Sequence, residues 1–359
     1  MEYFDSLAVA WKAMILPWAI ESTLVALLLL AVLRLGRRLS PAFRKSLATL
    51  GLVKLALPPV ALPVGLLSLG VTDPSGSSVA PLGAPLPDPL VTALAAVHLA
   101  GVGVALTLLV RRVGEIRALV STAAPVRDER VLGSLHELAS AIGLRRVPRL
   151  VVSRAAGVPF ATGPWRPTIV LPAGLVADAD PERLRGLLAH ELIHLERGDL
   201  WLAWLRAVVV SLWWPIPPAR ALARLHEDAG EELCDAEVLA RRLAVEDDYA
   251  RGLLAVAVGG AVAGRRGPLP ITAAAGASAL EQRIRRLGRP SRTRLGLAAS
   301  MVVGALALLL LPAASTGRSS PVGWTQRLLF IHPHDVAVPQ SEPPAGARHR
   351  TAHDHRHGH

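Results

Sequence analysis

Four apolar runs, each near the length of a bilayer crossing, constrain this chain more than any other feature. They cover about residues 13–33, 47–69, 90–110 and 295–311. A membrane-spanning helix needs about 20 apolar residues. Hydrophobic residues make up 52% of the 359-residue chain and charged residues 19%, against about 25% charged in an ordinary soluble domain. The expectation is an α-helical membrane protein with four transmembrane helices. Residues 1–6 are acidic rather than basic and no small-residue cleavage site follows the first run, which argues against a removed signal peptide.

The charges set a topology. Arg34, Arg37, Arg38, Arg44 and Lys45 follow the first run, whereas residues 71–88 hold no Lys or Arg. Arg111, Arg112 and Arg117 follow the third run, and Arg283, Arg285, Arg286, Arg289, Arg292 and Arg294 precede the fourth. Basic loops stay in the cytoplasm. The N-terminus and the tail are therefore expected outside the cell membrane, with the region between the third and fourth runs cytoplasmic. This divides the chain into a membrane region over 1–112, a cytoplasmic domain over 113–292, a last membrane helix over 293–312 and a short tail rich in His and Pro over 313–359. The net charge of +11 sits beside the apolar runs, so it points to a lipid bilayer and not to direct nucleic-acid binding. Glu21 and Lys54 fall inside runs. Such residues face a bundle interior, pair with each other, or snorkel to the nearer interface. The single cysteine, Cys234, excludes an internal disulfide.

The cytoplasmic domain reads as α+β. Val131, Leu132, Leu135, Leu138 and Ile142 repeat at helical spacing, while 147–153 and 168–171 read as short strands. Asp180, Pro181 and Glu182 open a helix with an N-cap acceptor, a proline at its first position and an acid in its first turn.

On that helix lies His190-Glu191-Leu192-Ile193-His194. Histidines four apart share a helical face and can bind one metal ion, and Glu191 between them is placed to take a proton from the attacking water. Zinc is the default ion for two imidazoles and a carboxylate. A third ligand is expected 37 residues after His194, at Glu231. Asp235 is one turn further on, where it can hydrogen-bond the free nitrogen of a ligand histidine. Cys234 points about 100° from Asp235 on a helical wheel and reads as a packed apolar group. The Trp-rich stretch 200–215 resembles a span, yet a single crossing would separate His190 from Glu231. It reads instead as a buried core helix or one lying against the membrane surface. Residues 253–262 are too short to span and read as core. His226 and Tyr249 are candidates to help stabilise an oxyanion, and residues 151–162 to offer a strand edge to an extended substrate.

Together, His190-Glu-Leu-Ile-His194-x-x-Arg197-x-Asp199, Trp214-Pro215 and Glu231-x-x-Cys234-Asp235 resemble the BlaR/MecR-type integral-membrane metallopeptidases. Residues 159–163 and 167–172 are similar to that family's segment ahead of the zinc helix. The resemblance implies zinc held by His190, His194 and Glu231, Glu191 as catalytic base, and support from Asp235 and Asp199. It implies a gluzincin-like domain inserted between the third and fourth spans. It further implies regulated cleavage of a cytoplasmic winged-helix repressor of the BlaI/MecI kind. The implied partners are a protein or peptide substrate and the bilayer, with a homodimer left open. The family's antibiotic sensors carry a penicillin-binding domain after the last span. Here fewer than fifty residues follow, without lysine, so a sensor-less member is expected. His332, His334, His349, His353, His355, His357 and His359 in that stretch read either as adventitious metal affinity or as a metal-sensing tail. Two rival readings remain. One is a quality-control membrane protease of the HtpX type. The other is a signalling receptor with a structural zinc, against which the intact Glu191 argues.

Overall fold

The computed structural model describes residues 2–35, 39–57, 88–178, 180–262, 283–287 and 297–310. Three helices come first: α1 (Glu2–Leu35), α2 (Pro41–Ala56) and α3 (Asp88–Thr122). A mixed region follows, with β1 (Ala124–Pro125), α4 (Glu129–Ile142), β2 (Arg149–Ser153), β3 (Phe160–Thr162), β4 (Thr168–Pro172) and α5 (Ala173–Asp178). Then come α6 (Pro181–Glu196), α7 (Asp199–Leu212), α8 (Pro217–Ala240), α9 (Glu246–Val262) and α10 (Leu297–Leu310).

Among the described residues one helix is long and apolar enough to cross a membrane, Pro89–Thr122 within α3. Many of its apolar side chains face outward, as Val97, Val104, Leu108 and Val110 do, while Val91 is buried. The other three apolar runs coincide with α1, the described part of α2 and α10. The second run beyond residue 57 and the His-rich tail lie outside the described residues. The boundary drawn at residue 112 falls inside α3, which continues unbroken to Thr122.

The mixed region is built on a four-stranded sheet in the order β1-β2-β4-β3. β2 and β4 pair in parallel with Val151 opposite Val170, and β3 runs antiparallel to β4 with Phe160 opposite Val170. Of the stretch expected to offer a strand edge, β2 is therefore interior and only β3 lies at an edge. Asp180 caps α6 through its carboxylate, as the sequence indicated, and Asp128 caps α4 in the same way. Leu135 and Leu138 of α4, Ile169 and Leu171 of β4, Leu188 and Leu192 of α6 and Tyr249 of α9 close one core. In α9 only one side is interior: Leu253 is buried while Leu254 and Val258 are exposed, so 253–262 is less buried than expected.

A second core joins α1, α2, α7 and α8 through Leu29, Leu33, Leu47, Leu55, Val209, Trp213 and Leu222. The stretch 200–215 is thus a core helix along one face, with Trp201 and Val208 exposed on the other. α8 returns the chain, which is why this apolar helix does not separate the motifs on either side of it. The hairpin tip is pinned by side chains. Trp213 Nε1 donates to the Leu55 carbonyl at 2.8 Å and Trp214 Nε1 to the His98 carbonyl at 3.2 Å. His98 Nδ1 accepts from Trp11 Nε1 at 3.2 Å. Its Nε2 therefore carries the proton, which it gives to the Leu212 carbonyl at 3.1 Å. That carbonyl belongs to the last turn of α7, where no intrahelical donor remains.

Gly101 of α3 leaves the slot for the Trp214 indole, since a Cβ there would lie 2.2 Å from a ring atom. Gly101→Ala is expected to push the indole out and destabilise the protein by about 1–3 kcal/mol, the usual cost of overpacking. An unchanged thermal midpoint for the variant would contradict this fit.

Candidate metal centre

α6 presents its first histidine 10 residues after its cap, deep in the core. His190 is 6% exposed and Glu191 9%. His194 is half-buried one turn later. Gly198 then takes φ 71°, a left-handed conformation that glycine adopts without steric cost. The chain reverses there into α7 and brings Asp199 back to His194. α8 approaches from the other side with Glu231 facing the two imidazoles.

Three donor groups converge. His190 Nε2 and His194 Nε2 are 3.0 Å apart. Glu231 Oε2 lies 3.4 Å from His190 Nε2, and Oε1 lies 3.4 Å from His194 Nε2. Bonds of about 2.0–2.2 Å to a tetrahedral ion place its donors roughly 3.3–3.6 Å apart. The two carboxylate–imidazole distances match this spacing and the imidazole pair is slightly closer, so the three side chains can hold a small cation.

The other ring nitrogens are engaged as a metal site requires. His194 Nδ1 donates to Asp199 Oδ2 at 2.8 Å, which leaves its Nε2 lone pair free. His190 Nδ1 lies 3.1 Å from Asp235 Oδ1 and 2.9 Å from the Tyr249 hydroxyl. Tyr249 donates to Asp235 Oδ1 at 2.6 Å. Burial raises the Asp235 carboxyl, but Arg283 and His190 more than offset this and hold it well below the usual range. Burial and the Asp235 charge push the Tyr249 hydroxyl up, so it stays a donor.

A family model described as BlaR1 peptidase M56 matches residues 80–287. The chain belongs to the BlaR1 peptidase M56 family. It is also similar to the protease HtpX homolog of Bacillus subtilis (strain 168), 32% identical over 76 residues. The corresponding protein of Bacillus pumilus (strain SAFR-032) is 30% identical over 76 residues. Each match covers 20% of this chain and about a quarter of the relative, 26% and 25%. The family's description names a peptidase, and His190, His194 and Glu231 could hold a metal ion.

The M56 site contains residues that sequence reasoning placed elsewhere or missed. Tyr249, an expected oxyanion helper, is fully buried and committed to His190 and Asp235. His226, the other such candidate, is 1% exposed and bonded to Arg206 Nη1 at 3.0 Å, so its place is inside the α7–α8 hairpin. Cys234 is buried as expected, yet its Sγ lies 3.5 Å from His194 Nδ1 and 3.8 Å from Asp199 Oδ2. These three groups are close enough to hold a cation themselves, but the Lys45 ammonium is paired with Asp199 there and opposes a second positive charge.

The missed residues are Lys45 and Arg283. Arg283 Nη1 is 2.9 Å from Glu231 Oε2, and its Nε and Nη2 grip Asp235 at 2.9 and 2.8 Å. In the sequence both cations read only as topology signals. Nothing in their local sequence distinguishes them from neighbouring arginines.

Proposed function

We propose that this M56 peptidase is a zinc endopeptidase in which His190, His194 and Glu231 hold Zn2+ and Glu191 is the general base. The observation that carries the reading is the convergence of two imidazole Nε2 atoms and one carboxylate, from helices far apart in sequence, within 3.4 Å of one another. Bound zinc would polarise the scissile carbonyl and activate the attacking water. Asp199 and Asp235 fix the histidine tautomers and keep each Nε2 lone pair aimed inward. Glu191 takes the proton of the attacking water and returns it to the leaving amide nitrogen. The β3 edge beside α6 offers backbone groups to an extended substrate. The basic loops favour a multi-pass chain with this centre on the cytoplasmic face.

Two substrate classes are compatible with the site. Family membership supports regulated cleavage of a BlaI/MecI-like winged-helix repressor. The 76-residue similarity to HtpX homologs supports quality control of membrane proteins instead. A purified repressor cut at a single bond, with an unfolded membrane protein left intact, would select the first; the reverse would select the second.

The zinc reading is tested on the full chain in detergent. A stoichiometric zinc is expected to co-purify. A strong chelator is expected to abolish cleavage, and added zinc to restore it. Cleavage that survives complete metal removal would overturn the assignment.

A further inference from the structure

The proposed ligands share one feature: each is held, directly or through one carboxylate, by a cation from a segment that flanks a membrane run. Lys45, in the first turns of α2, pairs with Asp199 Oδ1. The other oxygen of Asp199 takes His194 Nδ1 at 2.8 Å. Arg283 lies ahead of α10, in the helical stretch 283–286. It grips both oxygens of Asp235, which lies 3.1 Å from His190 Nδ1. The same guanidinium reaches Glu231 Oε2 at 2.9 Å. The two segments also meet each other. Glu232 Oε2 accepts from Arg44 Nη1 at 2.9 Å and from Arg286 Nη1 at 3.0 Å.

We propose that Arg44 and Lys45 on one side and Arg283 and Arg286 on the other form an electrostatic clamp through which the membrane-flanking segments set the geometry of the metal centre. The proposal rests on the ligand assignment made above. The four cations are positioning residues, and none touches a substrate or completes the ligand set.

The inner contacts of this clamp are not solvated surface pairs. The Lys45 and Asp199 side chains are 6% and 10% exposed, and that of Asp235 is 6%. Exposed pairs contribute about 0–1 kcal/mol. Here Asp199 has one oxygen on Lys45 and Asp235 has both on Arg283, and each grip orients a histidine. Lys45 withdrawn from Asp199 frees that carboxylate to rotate and His194 to turn with it. Arg283 withdrawn from Asp235 and Glu231 does the same to the other two ligands. A small displacement of α2, or of the segment leading into α10, would thus be felt at all three. Glu232 makes the two displacements a single event, because it ties the segments together without reaching a ligand. A stimulus that moves the membrane helices would then reach the catalytic centre along two short chains of ion pairs.

The test uses the full chain in lipid nanodiscs and two readouts besides proteolysis. These are zinc affinity, by competition with a chromophoric chelator, and the visible absorption bands of the cobalt-substituted protein. Lys45→Met and Arg283→Met are each expected to weaken zinc by about 10–100-fold, the usual effect of losing a residue that orients a ligand, and to shift the cobalt bands. Lys45→Arg is expected to recover most of the loss. Glu232→Gln supplies a milder variant should Lys45→Met fail to fold; it is expected to weaken zinc by a smaller factor. His190→Ala is the control for the ligand assignment. If it leaves zinc stoichiometry intact, the assignment itself fails. If it loses zinc while Lys45→Met (or Glu232→Gln in its place) and Arg283→Met keep parental affinity and spectrum, the clamp is overturned and the ligands stand.

Discussion

Glu191→Gln is expected to lower proteolysis by about 10²–10⁴-fold, the range assigned to a positioned general base, while the protein keeps its zinc and its fold. Glu191 sits between the two histidines but is not one of the three convergent donors. The metal centre should therefore survive its replacement. The amide is nearly isosteric with the carboxylate it replaces, and at 9% exposure the site leaves little room for an added water to substitute. What the amide lacks is the capacity to accept a proton from the attacking water and pass it on. The loss should appear in the chemical step, so single-turnover cleavage is the measurement, with zinc content followed in the same sample. Parental cleavage by Glu191→Gln would remove the base from the mechanism. Lost zinc would instead make Glu191 part of the metal-binding set.

The parts of the site that were legible in the sequence are those whose geometry is local. His190 and His194 share a face because a helix repeats every 3.6 residues, and the Asp180 cap announces that helix. Asp235 follows Glu231 by one turn, so its contact with a ligand histidine could be anticipated once Glu231 was placed. Lys45 and Arg283 could not be read this way. Lys45 is separated from Asp199 by 154 residues and Arg283 from Asp235 by 48. In a membrane protein a basic residue beside an apolar run already has an explanation, the cytoplasmic loop, and that explanation hides any second role. The wheel angle set Cys234 apart from Asp235, but it carried no information on what the thiol meets, which is His194 and Asp199. β3 is not marked off as a strand of its own within 151–162, because three residues are too few to show alternation. The Trp-rich helix was ambiguous for a different reason. It packs against α2, α3 and α8, and the same composition would serve a lipid contact.

Replacing Glu21 alone is expected to cost more stability than replacing Glu21 and Lys54 together. The sequence left open whether these charges pair or snorkel, and the structure pairs them, with Lys54 Nζ 2.7 Å from Glu21 Oε1. The two side chains are unequally placed: that of Lys54 is 2% exposed and that of Glu21 29%. Glu21→Leu strands an ammonium inside the α1–α2 core, among Leu47, Leu52 and Leu55. Stranding a buried charge costs about 3–5 kcal/mol. Lys54→Leu leaves a carboxylate that can still turn toward its more open side, so its cost should be smaller. In the double Leu variant neither charge needs a partner, and two apolar side chains fill the same space. Such replacements of a buried pair are often neutral or stabilising. The expected order of unfolding midpoints in detergent is therefore Glu21→Leu lowest, Lys54→Leu next and the double variant near the parent. A double variant that falls by the sum of the single losses would mean that the two charges act independently. The pair would then be incidental to how α1 holds α2.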